Sequence, residues 1–237
     1  MNTAAPTRRE KRRVETTAEI KEVALRLMAE GGPGAIALRS IAREMGMTAN
    51  AVYSYFPTRD DLVTALIQDV STELADVLEQ AREAHPETAA SARISAWAYA
   101  FRDWALTNPQ GFRLIYGDPV PGYQPPDGGP APEAVRRMCV GLIGLAASAW
   151  PQTRKAQGDS EFDWPDFDPH LIRVVDEQFP DLPPAAVAIA LRIWGHLHGL
   201  VSLEILGILR TQTTNPDKLY RNETAHLIRS LGLTPPP

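Results

Sequence analysis

The 237-residue sequence predicts an all-α protein. Apolar residues recur at helical spacing in one segment after another, and no stretch shows the strict alternation of a half-buried strand. A hydrophobic fraction of 44% against a charged fraction of 22% is sufficient for a folded core. Clusters of glycine and proline separate the periodic segments, which predicts a series of helices joined by loops.

Composition also limits the class of protein. The single cysteine, Cys139, excludes an intramolecular disulfide framework and a cysteine-based metal cluster. No apolar stretch follows the basic N-terminus, so we expect no signal peptide. The longest apolar run near the end, Ile193–Leu203, contains two histidines and stops at Glu204, which makes it too short and too polar to span a bilayer. We therefore expect a cytoplasmic protein with no membrane partner.

Charge is distributed unevenly along the chain. Residues 1–59 hold ten Lys and Arg against six Asp and Glu, whereas the remaining 178 residues hold fourteen against twenty-three. Five positive charges lie between Arg8 and Arg13 in a segment without apolar periodicity, so residues 1–14 are predicted to form a flexible basic arm. A basic end on an acidic body suggests that the N-terminal part binds a polyanion.

Three helices are predicted after this arm. The first covers about 15–30 and ends at a Gly-Gly-Pro-Gly run. The second spans about Leu38–Met45, and Gly46 allows the chain to turn after it. Thr48 is a suitable N-cap for a third helix at about Ala49–Phe56. Two short helices joined by a glycine-containing turn form the helix-turn-helix pattern.

The rest of the chain is also predicted to be helical. A fourth helix starts at a capping pair, Thr58 and Asp61, and continues to about Ala84. Residues 117–132 contain six prolines and four glycines, which predicts an exposed loop. The remaining predicted helices cover about 88–107, 109–116, 131–150, 169–179, 184–210 and 216–231.

The outward face of the third predicted helix is uncharged. On a helical wheel, Val52 and Phe56 define the buried direction. The outward side carries Asn50, Ala51 and Ser54, with Tyr53 and Tyr55 at its edges. No charge occurs from residue 46 to residue 58, which suits a helix that enters the major groove between two rows of phosphates. The alternative is a stabilising subdomain whose tyrosines only cover the edges of a core.

The stretch Leu38–Leu62 resembles the signature of TetR-family transcriptional regulators. Its sequence, LRSIAREMGMTANAVYSYFPTRDDL, has the Ile-Ala pair, the turn glycine followed by Thr, the aromatic run and the basic residue after a cap. The resemblance extends from Glu15 to Leu66. It implies a helix-turn-helix DNA-binding domain at residues 15–61 and a larger helical ligand-binding and dimerisation domain at residues 62–237.

The resemblance also implies which residues contact DNA. The recognition-helix positions that meet DNA in the family correspond to Thr48, Ala49, Asn50, Ala51, Tyr53 and Tyr55. Arg39 corresponds to a residue that reaches a base or a phosphate from the second helix, and Arg59 to the basic residue that clamps a phosphate at the fourth. The Thr or Ser that usually caps the second helix is replaced by Ala37, which removes a cap contact of about 1 kcal/mol.

A ligand site is predicted in the C-terminal domain. The segments around Asn108-Pro109 and around Trp194, His198 and Gly199 are similar to a TetR subgroup named for its Trp-His-Gly residues. The predicted lining of an apolar pocket is Phe101, Trp104, Phe112, Tyr116, Trp194 and His198. Core packing is the alternative for the aromatic residues that share one helix face.

No metal or cofactor is expected. His196 and His198 project about 200° apart on a helix, so both cannot ligate one ion. Cys139 has no histidine or acidic partner nearby in the sequence and is expected to be a small buried side chain.

Dimerisation is predicted at the C-terminal helices. Segment 185–209 is apolar on nearly all sides and is expected in a core or an interface. With the helix at 216–231 it would form half of a four-helix bundle across a two-fold axis. Gly195, Gly199 and Gly207 would allow close approach of helices within that dimer or within the core.

These features predict a homodimeric repressor that binds a palindromic operator in double-stranded DNA and is released by a small-molecule effector. Its two recognition helices would enter successive major grooves about 34–36 Å apart. The alternative is a small-molecule-binding helical protein whose N-terminal domain no longer reads DNA, supported only by Ala37. An enzyme is not expected, because the sequence shows no paired carboxylates, no nucleophile beside a base and no phosphate-binding loop.

Overall fold

The computed structural model describes residues 7–84, 90–155 and 161–236, which contain ten α-helices and no β-strand. The prediction of an all-α fold is confirmed. The helices are α1 Arg8–Gly31, α2 Leu38–Glu44, α3 Ala49–Tyr53, α4 Arg59–Glu83, α5 Ala90–Thr107, α6 Pro109–Tyr116, α7 Pro132–Thr153, α8 Pro169–Gln178, α9 Pro184–Ile205 and α10 Pro216–Ser230.

The chain divides into two compact units. The head unit comprises Met1–Ser71 and Asn108–Pro132, and the body unit comprises Thr72–Thr107 and Glu133–Pro237. Helix α4 contributes residues to both. This division differs from the predicted boundary after residue 61, because α6 packs against α1 and the loop after α6 is bonded to the start of α4.

The head unit has an apolar core to which its helices each contribute one face. Its fully buried side chains include Ile20, Ala24, Ile41, Val52 and Leu62. Two ion pairs lie at the rim: Lys21 Nζ is 2.5 Å from Asp69 Oδ2, and Arg26 Nη2 is 2.7 Å from Glu44 Oε1. Exposed pairs of this kind contribute at most about 1 kcal/mol each, so the apolar contacts dominate the stability of the head.

Helix α1 begins at Arg8, well before the predicted start near residue 15. A capping box fixes this start, with the Glu10 N–H donating to Thr7 Oγ1 at 3.3 Å and the Thr7 N–H donating to Glu10 Oε2 at 2.6 Å. These contacts hold the pKa of the Glu10 carboxyl below its ordinary value. Residues 8–14 are thus helical rather than a flexible arm. Residues 1–6 of that predicted arm lie outside the described residues.

The loop between α6 and α7 is fastened to the head unit. The Tyr123 hydroxyl lies 2.8 Å from Thr64 Oγ1, the Gln124 N–H donates to the Asp60 carboxylate at 3.1 Å, and Val120 is buried. Most of the loop is exposed, as predicted, but Val120 is buried and Tyr123 is partly buried. The partners of Tyr123 and Gln124 on α4 lie about 60 residues earlier in the chain, which a local composition signal does not reveal.

Helix α9 is the central helix of the body unit and contacts both α5 and α10. Its buried face comprises Ala186, Val187, Ile189, Ala190, Ile193, Leu197, Val201 and Ile205. The opposite side is exposed within the described chain and carries Leu191, Gly195, Gly199 and Leu203. A Cβ added at Gly195 or Gly199 would meet no atom within 4 Å, so neither glycine serves close packing inside the body unit.

The C-terminal end of α9 lies at Ile205, whereas the predicted helix continued to residue 210. Gly207 adopts φ +76°, a conformation that favours glycine, and a 3₁₀ turn at Ile208–Thr211 follows. Gly207 therefore ends the helix instead of allowing two helices to approach. By length and composition alone α9 could cross a membrane, but a core helix of a soluble protein passes the same test.

Candidate functional site

The turn between α2 and α3 contains the glycine turn and the threonine N-cap that the sequence predicted. Gly46 adopts φ +64°, and the Met47 N–H donates to the Ala42 carbonyl at 2.8 Å, which closes the end of α2. Thr48 caps α3, since its Oγ1 accepts from the Ala51 N–H at 3.2 Å. The Thr48 hydroxyl hydrogen is still able to donate to an external acceptor such as a phosphate oxygen.

The outward face of α3 is exposed and uncharged. Val52 and Phe56 are buried, as predicted, whereas Asn50 is exposed and Tyr53 is 39% exposed. Helix α3 ends at Tyr53, three residues earlier than predicted, and the chain continues as a turn in which the Phe56 N–H donates to the Val52 carbonyl at 3.1 Å. The Ser54 hydroxyl donates to the Ala51 carbonyl at 2.6 Å. Ala49 and Ala51 are partly exposed on the same helix.

Helix α2 lacks a side-chain cap, as the sequence predicted. Ala37 occupies the N-cap position and makes no side-chain hydrogen bond. Arg39, in the first turn of α2, is exposed, and so is Arg43 in its last turn. Both guanidinium groups are therefore accessible to a polyanion.

Arg59 makes three hydrogen bonds within the head unit. Its Nε donates to the Ile36 carbonyl at 2.6 Å, its Nη1 to the Pro121 carbonyl at 2.9 Å and its Nη2 to the Pro33 carbonyl at 3.4 Å. One guanidinium thus joins the segment before α2, the start of α4 and the loop after α6. These bonds use three of the five N–H donors of the guanidinium, and the phosphate contact of Arg59 remains a prediction.

Half of the predicted pocket residues come together in the body unit. The Phe101 and Trp194 rings have centroids 5.2 Å apart, and the Trp194 and His198 rings 4.8 Å apart. Trp97 joins this group, 6.0 Å from Trp194. Trp97 and Phe101 are buried, so these rings fill the core that the alternative prediction described, while His198 and Trp194 stay partly accessible at its edge.

The other three predicted pocket residues are buried or partly buried. Trp104 is buried and its indole Nε1 donates to the Glu73 carboxylate at 3.3 Å. Phe112 and Tyr116 belong to the head unit, where their ring centroids are 5.2 Å apart. Burial raises the pKa of the Tyr116 hydroxyl well above its ordinary value. The predicted six-residue pocket lining remains a prediction, and three of its members, Phe101, Trp194 and His198, form one aromatic group in the body unit.

Two family models match the chain. The one described as bacterial regulatory proteins, tetR family, matches residues 20–66, and the one described as tetracyclin repressor-like, C-terminal domain, matches residues 94–227. The second match alone covers more than half of the sequence. The chain belongs to the TetR family. The narrower resemblance to the Trp-His-Gly subgroup remains a prediction.

Two known transcriptional regulators are similar to this chain, one over most of its length and one over about a third of it. The HTH-type transcriptional regulator Rv1816 of Mycobacterium tuberculosis is 32% identical over 235 residues, which cover 93% of this chain and 94% of the relative. The HTH-type transcriptional repressor Rv3405c of the same species is 32% identical over 94 residues, which cover 36% of this chain and 50% of the relative.

Solved structures share the fold. The crystal structure of the regulatory protein SCO4313 has a TM-score of 0.75 and 33% identity, and covers 94% of this chain and all of that chain. A tetR-family regulatory protein from Rhodococcus RHA1 has a TM-score of 0.60 at 18% identity, and covers 92% of this chain and 96% of that chain. The first likeness supports the family assignment, and the second concerns the fold alone.

The TetR signature does not reveal two arginine sites of this protein. Arg102 is buried in the body unit, with its guanidinium bound to both carboxylate oxygens of Glu204 at 2.8 and 2.9 Å and to Asp217 at 3.2 Å. The adjacent Glu204 carboxylate raises the pKa of Arg102 further above its ordinary value. Arg13 is the second site, and it contacts Ser54 and Tyr55. A charge inside the apolar stripe of α5 is the only sequence signal for Arg102.

Proposed function

We propose that this TetR-family regulator is a repressor that binds a palindromic operator as a homodimer and is released by a small molecule. The observation that carries the proposal is the exposed, uncharged outward face of α3. One relative that matches over part of this chain is named a repressor, which supports that direction of control. The family consists of bacterial regulatory proteins, so we place this protein in the cytoplasm.

The DNA contacts divide into two kinds. Asn50 and Tyr53 are exposed on α3 and would contact base edges and sugars in the major groove. The small side chains of Ala49 and Ala51 would let the helix backbone approach the groove closely. Arg39 and the Thr48 hydroxyl would bind phosphates and fix the register. Tyr55 would contact DNA from the edge of the same surface.

The dimer would form through the body unit. The exposed side of α9 carries Leu191 and Leu203 beside the exposed Arg192, and its Gly195 and Gly199 leave open space where a second helix can approach. Leu203 and Leu206 are 38% and 59% exposed, an arrangement that costs free energy unless another surface covers it. An isologous contact of α9 and α10 with their symmetry mates would cover these leucines.

The effector would bind in the body unit, near Phe101, Trp194 and His198. A neutral or cationic apolar molecule suits this environment, because the body is acidic and the residues are aromatic. Binding would favour a state of the dimer whose heads no longer match successive grooves, through differential affinity for two states. Helix α4 is the natural connection, because it contributes residues to both units.

The test is DNA binding by Asn50→Ala and Tyr53→Ala variants. The probe is a labelled duplex from the region upstream of the protein's own gene, and fluorescence anisotropy gives the Kd. Each variant should lose about 1–3 kcal/mol of binding free energy, the usual value of a good base contact. Tyr99→Ala is the matched control, because Tyr99 is a similarly exposed tyrosine of the body unit.

The affinity of the wild-type protein for the duplex should fall steeply as the salt concentration rises, because the formation of phosphate contacts releases counterions from the DNA. A wild-type dimer that fails to bind this duplex and a mixed genomic library would favour the small-molecule-binding alternative. Binding that both α3 variants retain at full affinity would refute the assigned recognition helix.

A further inference from the structure

We propose that Arg13 of α1 is a positioning residue that holds Tyr55 and the end of the recognition helix in the arrangement that reads DNA. This inference rests on the proposed DNA-binding function and extends it to a residue outside the helix-turn-helix. Arg13 is one of five basic residues between Arg8 and Arg13, a run that suggests only a general attraction to phosphate.

The Arg13 guanidinium makes two contacts with the end of α3. Its Nη2 donates to the Ser54 carbonyl oxygen at 3.0 Å, across 41 positions of sequence. Its Cζ lies 4.8 Å from the centroid of the Tyr55 ring, within the range of a cation–π interaction. A contact with a single partner could be incidental, but here one planar group binds two neighbouring residues of the candidate interface.

Both contacts of Arg13 stabilise the C-terminal end of α3 and the residues that follow it. The N–H groups of Ser54, Tyr55 and Phe56 donate to carbonyls of this five-residue helix, and Arg13 donates to the carbonyl of its C-cap residue, Ser54. A cation beside the Ser54 carbonyl is placed favourably at the negative end of this short helix. The cation over the Tyr55 ring restricts that side chain before DNA arrives, which lowers the entropy lost on binding.

The start of α1 is built to present Arg13 in this position. The capping box of Thr7 and Glu10 extends the helix to Arg8, so Arg13 lies in a regular helical turn. The Thr17 hydroxyl donates to the Arg13 carbonyl at 2.8 Å. Further along α1, Lys21 forms an ion pair with Asp69 of α4, which links the two helices. An irregular arm would not hold a guanidinium at two fixed partners.

A positioning residue and a phosphate contact differ in measurable ways. Neutralising a phosphate contact weakens binding to all duplexes and reduces the salt slope by about 0.9. Losing a positioning residue weakens binding to the specific duplex only, since random DNA does not use the correct placement of Tyr55. The salt slope then stays unchanged.

The experiment compares Arg13→Met with Arg12→Met as the matched control. Arg12 is the adjacent exposed arginine of the same helix, and methionine retains the unbranched stem and the helix propensity. Anisotropy would measure Kd for the upstream duplex and for a shuffled duplex of equal length, at four salt concentrations. We expect Arg13→Met to bind the upstream duplex about five- to tenfold more weakly and the shuffled duplex as the wild type does.

A double-mutant cycle with Tyr55→Leu adds a second readout. If Arg13 acts through Tyr55, the double variant should bind about as weakly as the weaker single variant. Additive losses, an unchanged Kd for Arg13→Met, or equal weakening on both duplexes with a reduced salt slope would each overturn the inference. A wild-type protein without preference for the upstream duplex would instead count against the proposed function. Unfolding in urea confirms that each variant is folded.

Discussion

At the scale of the residue, burial decides the chemistry of His198. The ring lies against Phe101 and Trp194, and its Nδ1 is 3.3 Å from the Ser202 hydroxyl. Burial lowers the pKa of His198 below its ordinary value, because the charged imidazolium loses solvation among aromatic rings. The folded protein therefore favours a neutral imidazole at this position.

This pKa shift predicts a pH dependence of stability. Below about pH 6.5, the ordinary value for histidine, the unfolded chain binds a proton that the folded chain does not yet bind. The contribution of His198 to the free energy of unfolding should therefore fall as the pH drops through that range. A His198→Phe variant should lose less stability than the wild type between pH 7.5 and pH 5.5 in urea unfolding.

Exposed His226 provides the control for this measurement. His226→Phe should follow the wild-type pH profile, because this side chain is exposed to solvent and lies outside the aromatic group around His198. Parallel profiles for His198→Phe and the wild type would show that the shift of His198 does not contribute to stability.

At the scale of the element, the head depends on side chains that join segments distant in sequence. Arg59 connects the segment before α2 and the loop after α6 to the first residue of α4. Tyr123 and Gln124 bond to the same part of α4. The loop that composition marks as irregular is thereby fixed at the helix that follows the recognition helix.

Replacing Arg59 should destabilise the head unit. Arg59→Ala removes three hydrogen bonds from a charged, half-buried donor, and we expect the free energy of unfolding to fall by about 1–2 kcal/mol. Arg59→Lys should recover little, since an ammonium cannot reach three carbonyls as the guanidinium does. Urea unfolding measures both variants.

Arg39→Ala is the matched control for this prediction, because Arg39 is exposed on α2. It should weaken DNA binding at little cost in stability. The proposed role would be contradicted if Arg59→Ala kept wild-type stability and reduced only the salt dependence of DNA binding, which is the behaviour of a phosphate contact.

At the scale of the whole molecule, the apolar surface of α9 requires a partner. Exposed Leu191 and Leu203 lie on α9, whose other side packs in the core of the body unit, and exposed Leu206 follows as its C-cap residue. The apolar residues of α9 are thus divided between a core face and a face that the proposed dimer would cover. This division explains why α9 is long and apolar enough to resemble a membrane span.

Leu203→Glu should therefore shift the protein from dimer to monomer, because a carboxylate would have to be buried against a second copy of an apolar face. Sedimentation velocity at several protein concentrations would report the change. Leu106→Glu is the matched control, since Leu106 is similarly exposed on α5. If both variants sediment as the wild type does, α9 is not the dimer interface.

Most of the secondary structure could be predicted, because its signals are local. Helix α6 lies where the sequence placed it, and Gly46, Thr48 and Thr58 have the turn and cap roles expected of them. The start of α1 was predicted wrongly because its first turns have no buried face, although the capping pair was present in the sequence. The end of α9 was predicted wrongly because apolar residues continue past Gly207.

The sequence by itself determined the helical class, the order of the helices and the TetR signature, since periodicity, capping and motif spacing act within a few residues. Only the tertiary structure decided which side chains meet. The partners of Arg13, Arg59 and Arg102 lie up to 115 positions away. A guanidinium can bind a carbonyl, a carboxylate, an aromatic ring or a phosphate, and the choice depends on which of these groups the packed helices place within about 3–5 Å.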